Sequence, residues 1–561
     1  MEEIRISAVD WAVLVVYFVV IAIVGLLAAR RIKTTDHYFL GNRKFNKWIM
    51  IGQTFGTGTH AEMPVSLAGA VYNLGISGIW FQWKNLFATP FYWLIAPLFR
   101  RFRRTTTAEV MEDRYGSWMG AFYTVFALVY FTINMGTMLK GAAKVIDQAT
   151  GGQLPVNGIV VVMTAVFIVY SFTGGLVATA WTDFLQGFLI IALSFLLIPL
   201  GWGMVGGIGG MKGVLSADKF SLATPHDIGP WFIFALTING LIGIIAQPHL
   251  IAAVGTGKDE YTGRTGQFYG NMVKRVCTVG WALVGLMVAT LIARRAFGIG
   301  SLSDPEDAFG FACRHLLFPG GVGLLIASFL ATNMAGSSAF MVDSGALFTS
   351  GVYRPYLVPG RDDRHYLLVG RISGVLITLA AVLYAVFFIE RVLYSFLLTE
   401  TMATYVGITI YAGLLWKRTN RWGALAGMLV SAIVNFALYS ARGQRLDAWD
   451  PVVFSIALAS GIAVMIVVSL LTPPESEARL QQFFVRVNTP SDGAETELPP
   501  HPDVKKTASE GRQLIVTNLL HLRRSAAGFG WRAYRVDLKG FAIGWIIVIV
   551  LVYLVWLLFR S

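Results

Sequence analysis

The chain has 561 residues, of which 55% are apolar and only 14% charged, with a mean hydropathy of +0.62 and a net charge of +13. A soluble domain carries roughly 25% charged residues, so this composition excludes a water-exposed globule, and disorder, a collagen repeat and a coiled coil with it. The two cysteines, Cys277 and Cys313, are too few for a disulfide framework or a zinc cluster.

Apolar stretches near the roughly 20 residues that cross a bilayer core recur at 8–29, 46–72, 76–99, 118–146, 156–173, 176–206, 230–253, 266–293, 314–349, 367–388, 391–416, 421–440, 452–472 and 541–559. The expected fold is an all-α polytopic membrane protein of about fourteen spans. The first span is no cleaved signal peptide, because it is long, lacks a basic leader and ends in Arg30-Arg31. With residue 1 outside, 32 of the 45 Lys and Arg residues fall on the inner side and nine outside, while Lys84, Lys140, Lys144 and Arg314 lie in or at the ends of spans. That bias predicts a cell-membrane protein with both termini extracellular or periplasmic. The basic excess is thus a topology signal facing the lipid bilayer, not a nucleic-acid footprint.

Residues 473–540 are proline-rich and of mixed charge and read as a cytoplasmic linker. Within it, Leu514 to Trp531 fits either an amphipathic helix on the inner membrane face or plain solvated linker. The expected organisation is an extra helix and loop at 1–43, a core at 44–420, two peripheral helices at 421–472, the linker, and a last span at 541–561.

Two spans carry breaks. Gly52 to Pro64 packs three glycines, several threonines, His60 and Glu62 into one stretch, a poor lipid-facing helix. In Ile245-Ala246-Gln247-Pro248-His249, Pro248 removes a backbone donor in mid-span. Unwound backbone at membrane depth is tolerated only where it lines a cavity or is buried in protein. Five spans follow from each break, giving 46–206 and 230–416, two units of opposite orientation. Paired breaks in corresponding helices mark a substrate site near the midplane.

Several stretches resemble the sodium:solute symporter family, in its fourteen-span, sugar-transporter-like branch. They are Thr35 to Arg43, Gly174 to Gln186, Gln247-Pro248-His249, Gly413 to Arg418 with Asn420 and Gly423-Ala424, then Thr472-Pro473-Pro474, Phe483-Phe484 and Thr489-Pro490. The resemblance covers nearly the whole chain in order. It implies a leucine-transporter-type 5+5 inverted repeat with broken first and sixth core helices, and sodium-driven symport of a small organic solute by alternating access. No resident cofactor and no obligate protein partner are implied. The family's main sodium site aligns here with Gly56 and Thr59 in core helix one and with Thr332, Ala335 and Gly336 in core helix eight. The two expected hydroxyls are therefore missing, although Thr59, Thr332 and Asn333 offer other oxygens, and a two-residue slip would bring in Ser337 and Ser338. Asp183 and Ser338 match a possible second site or ion exit, with Ala339 in place of the neighbouring hydroxyl; a cap at the start of its helix is the structural alternative for Asp183.

Ionisable groups at membrane depth are costly and mark function. His60, Glu62 and Met63 sit in the first break, where the family places substrate contacts. Gln82 and Asn85 share a helix face and align with sugar-contacting positions, whereas Lys84 either binds an anionic substrate or neutralises Glu62. Gln247 and His249 flank the second break, and Phe81 and Trp83 are candidates to stack on the solute. Asp343 and Glu400 are candidate proton carriers, and Lys140 and Lys144 are expected to snorkel. Sugars, monocarboxylates and amino acids all fit these residues. The alternatives are a proton-coupled or ion-independent transporter with a degenerate sodium site, and a solute sensor, for whose signalling kinase the tail has no room. No nucleophile elbow, HExxH or Walker sequence supports an enzyme.

Overall fold

Asp10 anchors α1 (Ala8–Ala29): its carboxylate accepts from the backbone N–H of Ser7 at 2.9 Å and from those of Gly320 and Gly323 at 2.9 and 2.6 Å. The computed structural model describes residues 7–29, 45–225, 227–445, 448–491, 512–519 and 531–560; within these, the side chains of 21–22, 24–29, 170, 173–186, 193, 335 and 531 lie outside the description. The motif Thr35–Arg43 falls outside it altogether.

The first broken span is a pair of helices. α2 (Lys47–Gly58) starts on Asn46, whose side chain accepts from the N–H of Trp48 and Ile49, and α3 (Glu62–Leu74) resumes after Thr59, His60 and Ala61. Then come α4 (Trp80–Arg101), α5 (Thr107–Tyr115) with a Thr106/Glu109 capping box, and α6 (Ser117–Ala149). α7 is helical without interruption from Val156 to Val205, where the sequence predicts two spans. Fifty helical residues would extend about 75 Å, over twice a bilayer core. Its two ends, however, lie along different partners. Met163 meets Asn333 and Phe172 lies under Arg371, whereas Ser194 accepts from Trp281 and Arg294 donates to the carbonyls of Met204 and Val205.

The second break separates α8 (Pro230–Gly243) from α9 (His249–Gly255) through a 3₁₀ turn and an extended Gln247, and the two arms meet at 68°. Pro248 cannot donate at this point. The hydroxyl of Tyr123 donates to the freed carbonyl of Ala246 at 2.7 Å. α10 (Glu260–Ala293) follows, capped by Asp259, then α11 (Ala308–Leu316), α12 (Gly321–Phe348, widening into a π-helical stretch to Leu357), α13 (Asp363–Phe387), α14 (Val392–Leu415), α15 (Arg421–Ala441), α16 (Pro451–Leu471), α17 (Glu477–Asn488) and α18 (Arg535–Arg560).

A helix covers each expected span. By length and hydropathy alone, eight helices among the described residues suit a membrane crossing, or nine with the bent pair, fewer than the fourteen expected. The broken α2/α3 and the polar-lined α4, which carries Gln82, Lys84 and Asn85, are not among them. The only β-bridge among the described residues joins Phe45 to Gly257.

Packing between α2 and α10 depends on missing side chains. A Cβ on Gly266 would lie 2.7 Å from the Cβ of Met50, and one on Gly270 would lie 2.8 Å from the Cβ of Thr54. Small residues one helical turn apart allow such close backbone approach. At the end expected to face the cytoplasm, the family-like pieces converge. Arg114 donates to the carbonyls of Gly413 and Thr419 at the end of α14, and Asn420 caps α15 while donating to Thr472 Oγ1 and the Pro473 carbonyl. The tail, read as linker from 473 onward, instead contains α17, docked through Arg486 on Asp113 and the stacked rings of Phe483 and Phe102. Arg101 forks onto Glu260 at 2.9 and 3.1 Å, and Arg103 donates to the carbonyls of Thr489 and Pro490. Most of the amphipathic stretch expected from Leu514 lies outside the described residues.

Candidate functional site

The two breaks face each other across Phe340 of α12, whose ring centroid lies 5.6 Å from that of His60 and 4.9 Å from that of His249. Between them is a cavity of about 50 Å³, room for a few waters. Five of the expected residues line it: His60, Met63, Asn85, Gln247 and His249. Glu62 and Lys84 sit one layer behind. Glu62 Oε1 lies 3.1 Å from His60 Nδ1, and Lys84 Nζ lies 3.1 Å from Glu400 Oε2 and 3.2 Å from Asn239 Oδ1. The suggested Lys84–Glu62 pair is therefore replaced by two separate pairs. Glu400 also accepts from Gln247 Nε2 at 2.9 Å, so its carboxylate is held by a cation from α4 and an amide from the second break.

Gln82 is buried with both side-chain polar atoms unpartnered, but it does not line the cavity. The aromatic expectation also moves. Phe81 packs edge-on against Phe232, and the indole N–H of Trp83 donates to the Arg275 carbonyl; Tyr92, Tyr130 and Phe396 line the cavity instead. Asp343 is buried with no hydrogen-bond or ion-pair partner shown for it among the described residues. Lys144 does not snorkel: it lies 2.8 Å from Asp304 and 2.7 Å from Glu306, whose carboxylate also accepts from the N–H of Val392 and Leu393 at the start of α14.

Sequence reasoning missed the contribution of α10. Gln267, Asn271 and Lys274 line the cavity at helical spacings of four and three, with Arg275 beside them. Lys274 and Arg275 count as loop cations in the charge bias, yet they are buried well inside the helix. The polar stripe 267-271-274 within an apolar span was the signal that could have found them.

Of the positions expected for the sodium site, Gly336 of α12 has no free space beside it. A Cβ on Gly336 would lie 2.2 Å from Met138 Cε and 2.8 Å from His60 Cδ2, so the imidazole stands where a hydroxyl side chain would point. Thr332 Oγ1 donates to its own helix at the Ser328 carbonyl, while Thr59 Oγ1 is buried and unpartnered. Gly56 gives its carbonyl to the Thr59 N–H at 3.3 Å. His60 Nε2 pairs with the Thr57 carbonyl and Nδ1 with Glu62, so both ring nitrogens face acceptors. The side chains of Asp183 and Ala335 lie outside the description, and Ser338 is buried.

A bent-helix pair, a second broken helix and a polar cavity between them define a membrane transporter rather than an enzyme. A sequence model of the sodium:solute symporter family matches residues 38–431, and the chain belongs to that family. It is 24% identical to the osmoregulated proline transporter OpuE of Bacillus subtilis, over 84% of this chain and 96% of that protein. It is also 24% identical to the sodium/glucose cotransporter of Vibrio parahaemolyticus, over 77% and 85%. A substrate-bound, outward-open sodium-coupled sialic acid symporter superposes with a TM-score of 0.72 at 18% identity, over 84% of this chain and 99% of that one, which establishes the shared leucine-transporter-type fold.

Proposed function

We propose that the chain carries out cation-coupled symport of a small organic solute by alternating access, with sodium as the coupling ion. The observation that carries this reading is the meeting of two helix breaks around one buried polar cavity. Family membership supports the ion, and relatives named for proline, glucose and sialic acid support a small organic solute. In this reading the core 44–420 forms the inverted repeat, fourteen spans put both termini outside the cell membrane, 421–472 are two peripheral helices, and 541–561 is the C-terminal transmembrane helix. His60, Met63, Asn85, Gln247 and His249 contact the solute, with Glu62 positioning His60 and Lys84 holding Glu400 beside Gln247. Asp183 and Ser338 lie on the ion's route inward.

A second reading, proton-coupled or ion-independent transport, is favoured by one observation: the His60 ring fills the gap beside Gly336. Uptake into proteoliposomes with imposed gradients separates the two. Stimulation by an inward sodium gradient supports the first; uptake that ignores sodium and follows a proton gradient, or neither, replaces it with the second.

A further inference from the structure

The charges around the cavity do not cancel. Its two carboxylates are both engaged: Glu400 by Lys84 and Gln247, and Glu62 by His60. Lys84 is thereby used. Lys274 and Arg275 are the other two cations at this depth, both buried, and neither pairs with a carboxylate; Arg275 also lies within hydrogen-bond reach of the Tyr92 hydroxyl. Lys274 Nζ donates to the Gly58 carbonyl at the unwound end of α2, and Arg275 Nη1 donates to the Gln82 carbonyl at 3.2 Å. Three cations against two carboxylates leave an excess positive charge even with neutral histidines. Burying an uncompensated charge is strongly unfavourable unless a counter-charge joins it. Around Lys274 the cavity also offers buried polar atoms without partners: Thr54 Oγ1, Asn85 Oδ1, His249 Nδ1 and Gln267 Oε1. These suit the hydroxyl or carbonyl groups of a solute.

We infer that the solute is a small organic monocarboxylate, and that Lys274 at the first helix break is its carboxylate anchor. The inference rests on the transporter reading and narrows its substrate class. A zwitterion fits less well than a simple anion, because its ammonium would need a free carboxylate and both carboxylates here already hold cations. A neutral sugar would leave the extra charge uncompensated. The inference therefore separates this chain from the proline and glucose transporters it is similar to.

The test uses the purified full chain in detergent and in proteoliposomes. Melting temperature is measured with propionate, lactate and pyruvate, with the uncharged propionamide and lactamide, and with proline and glucose. The expected result is a shift with the acids, none with the amides, and weaker or no shifts with proline and glucose. Lys274→Gln should weaken the response to acids at least tenfold in half-saturating concentration, and Lys274→Arg should retain part of it. Equal responses to an acid and its amide, or a full response in Lys274→Gln, overturn the inference. Should Lys274→Gln fail to fold, the acid–amide comparison on the unmodified chain still decides. Gradient-driven uptake separates the two levels. A carboxylate that binds but never accumulates removes the transporter reading and leaves the anchor; accumulation of a neutral solute with no acid response does the reverse.

Discussion

The ammonium of Lys84 on α4 and the carboxylate of Glu400 on α14 lie 3.1 Å apart, both buried, although 316 residues separate them in the chain. Removing one partner of such a pair leaves the other charge stranded, which costs about 3–5 kcal/mol. Lys84→Met and Glu400→Gln should each lower the melting temperature of the detergent-solubilised protein markedly. The double variant Lys84→Met/Glu400→Gln should lose less than the sum of its parts. Strict additivity in this cycle would show the two charges to be uncoupled.

Gly336 provides a second handle. Any side chain there meets Met138 and the His60 ring within 2.8 Å, an overpacking that typically costs about 1–3 kcal/mol. Gly336→Ser should therefore slow uptake although it restores a hydroxyl of the family pattern. Combined with His60→Gly and Met138→Ala, which together clear the space, it should raise the sodium stimulation of uptake above that of the unmodified chain. Unchanged sodium stimulation in the triple variant would show that His60 does not displace the ion.

Asp307, in the segment just before α11, has its carboxyl pushed up to about 6 by burial and by the nearby charge of Asp304. Its folded-state value lies above its ordinary one, so the fold binds this proton more tightly than the unfolded chain does. The stability it contributes is present at low pH and is lost as pH rises from about 4 to 6. Asp307→Asn should match the unmodified chain near pH 4 and melt at a higher temperature above pH 6, as read by a melting series across that range.

The tail can be tested by its release. Arg101 donates to the Val487 and Arg512 carbonyls, and Arg103 to those of Thr489 and Pro490. Arg103→Gln, which leaves the buried Arg101–Glu260 pair intact, should speed proteolysis between α17 and α18 several-fold, followed by gel, with little change in the membrane-embedded fragment. An unchanged cleavage rate would mean that the Arg103 contacts do not hold the tail.

Local punctuation made the two helix breaks legible: glycine and proline act within a few residues, so Gly58 and Pro248 sit where the sequence places the interruptions. Pairing across the fold was not. Lys84 is near Glu62 in sequence, but helix packing sends it to Glu400 and turns Glu62 toward His60. Lys274 was hidden for a different reason. Its charge counted toward the topology bias, and the polar stripe it shares with Gln267 and Asn271 lies in a span otherwise apolar enough to pass as lipid-facing. The occupation of the Gly336 gap by His60 depends on two backbones approaching, information carried by neither helix alone.

The seam between α2 and α10, closed over Gly266 and Gly270, has a kinetic meaning. Any rocking that preserves it carries Gly58 and Lys274 together, so an anion held by Lys274 rides with the moving part and keeps its anchor on both sides of the membrane. Such an anchor binds outward- and inward-facing states alike and by itself favours neither. Unloading must then be set by the neighbours left behind on other helices, Asn134, Phe396 and Glu400. Substitutions there should alter the ratio of outward to inward affinity, whereas those at Lys274 should alter both equally.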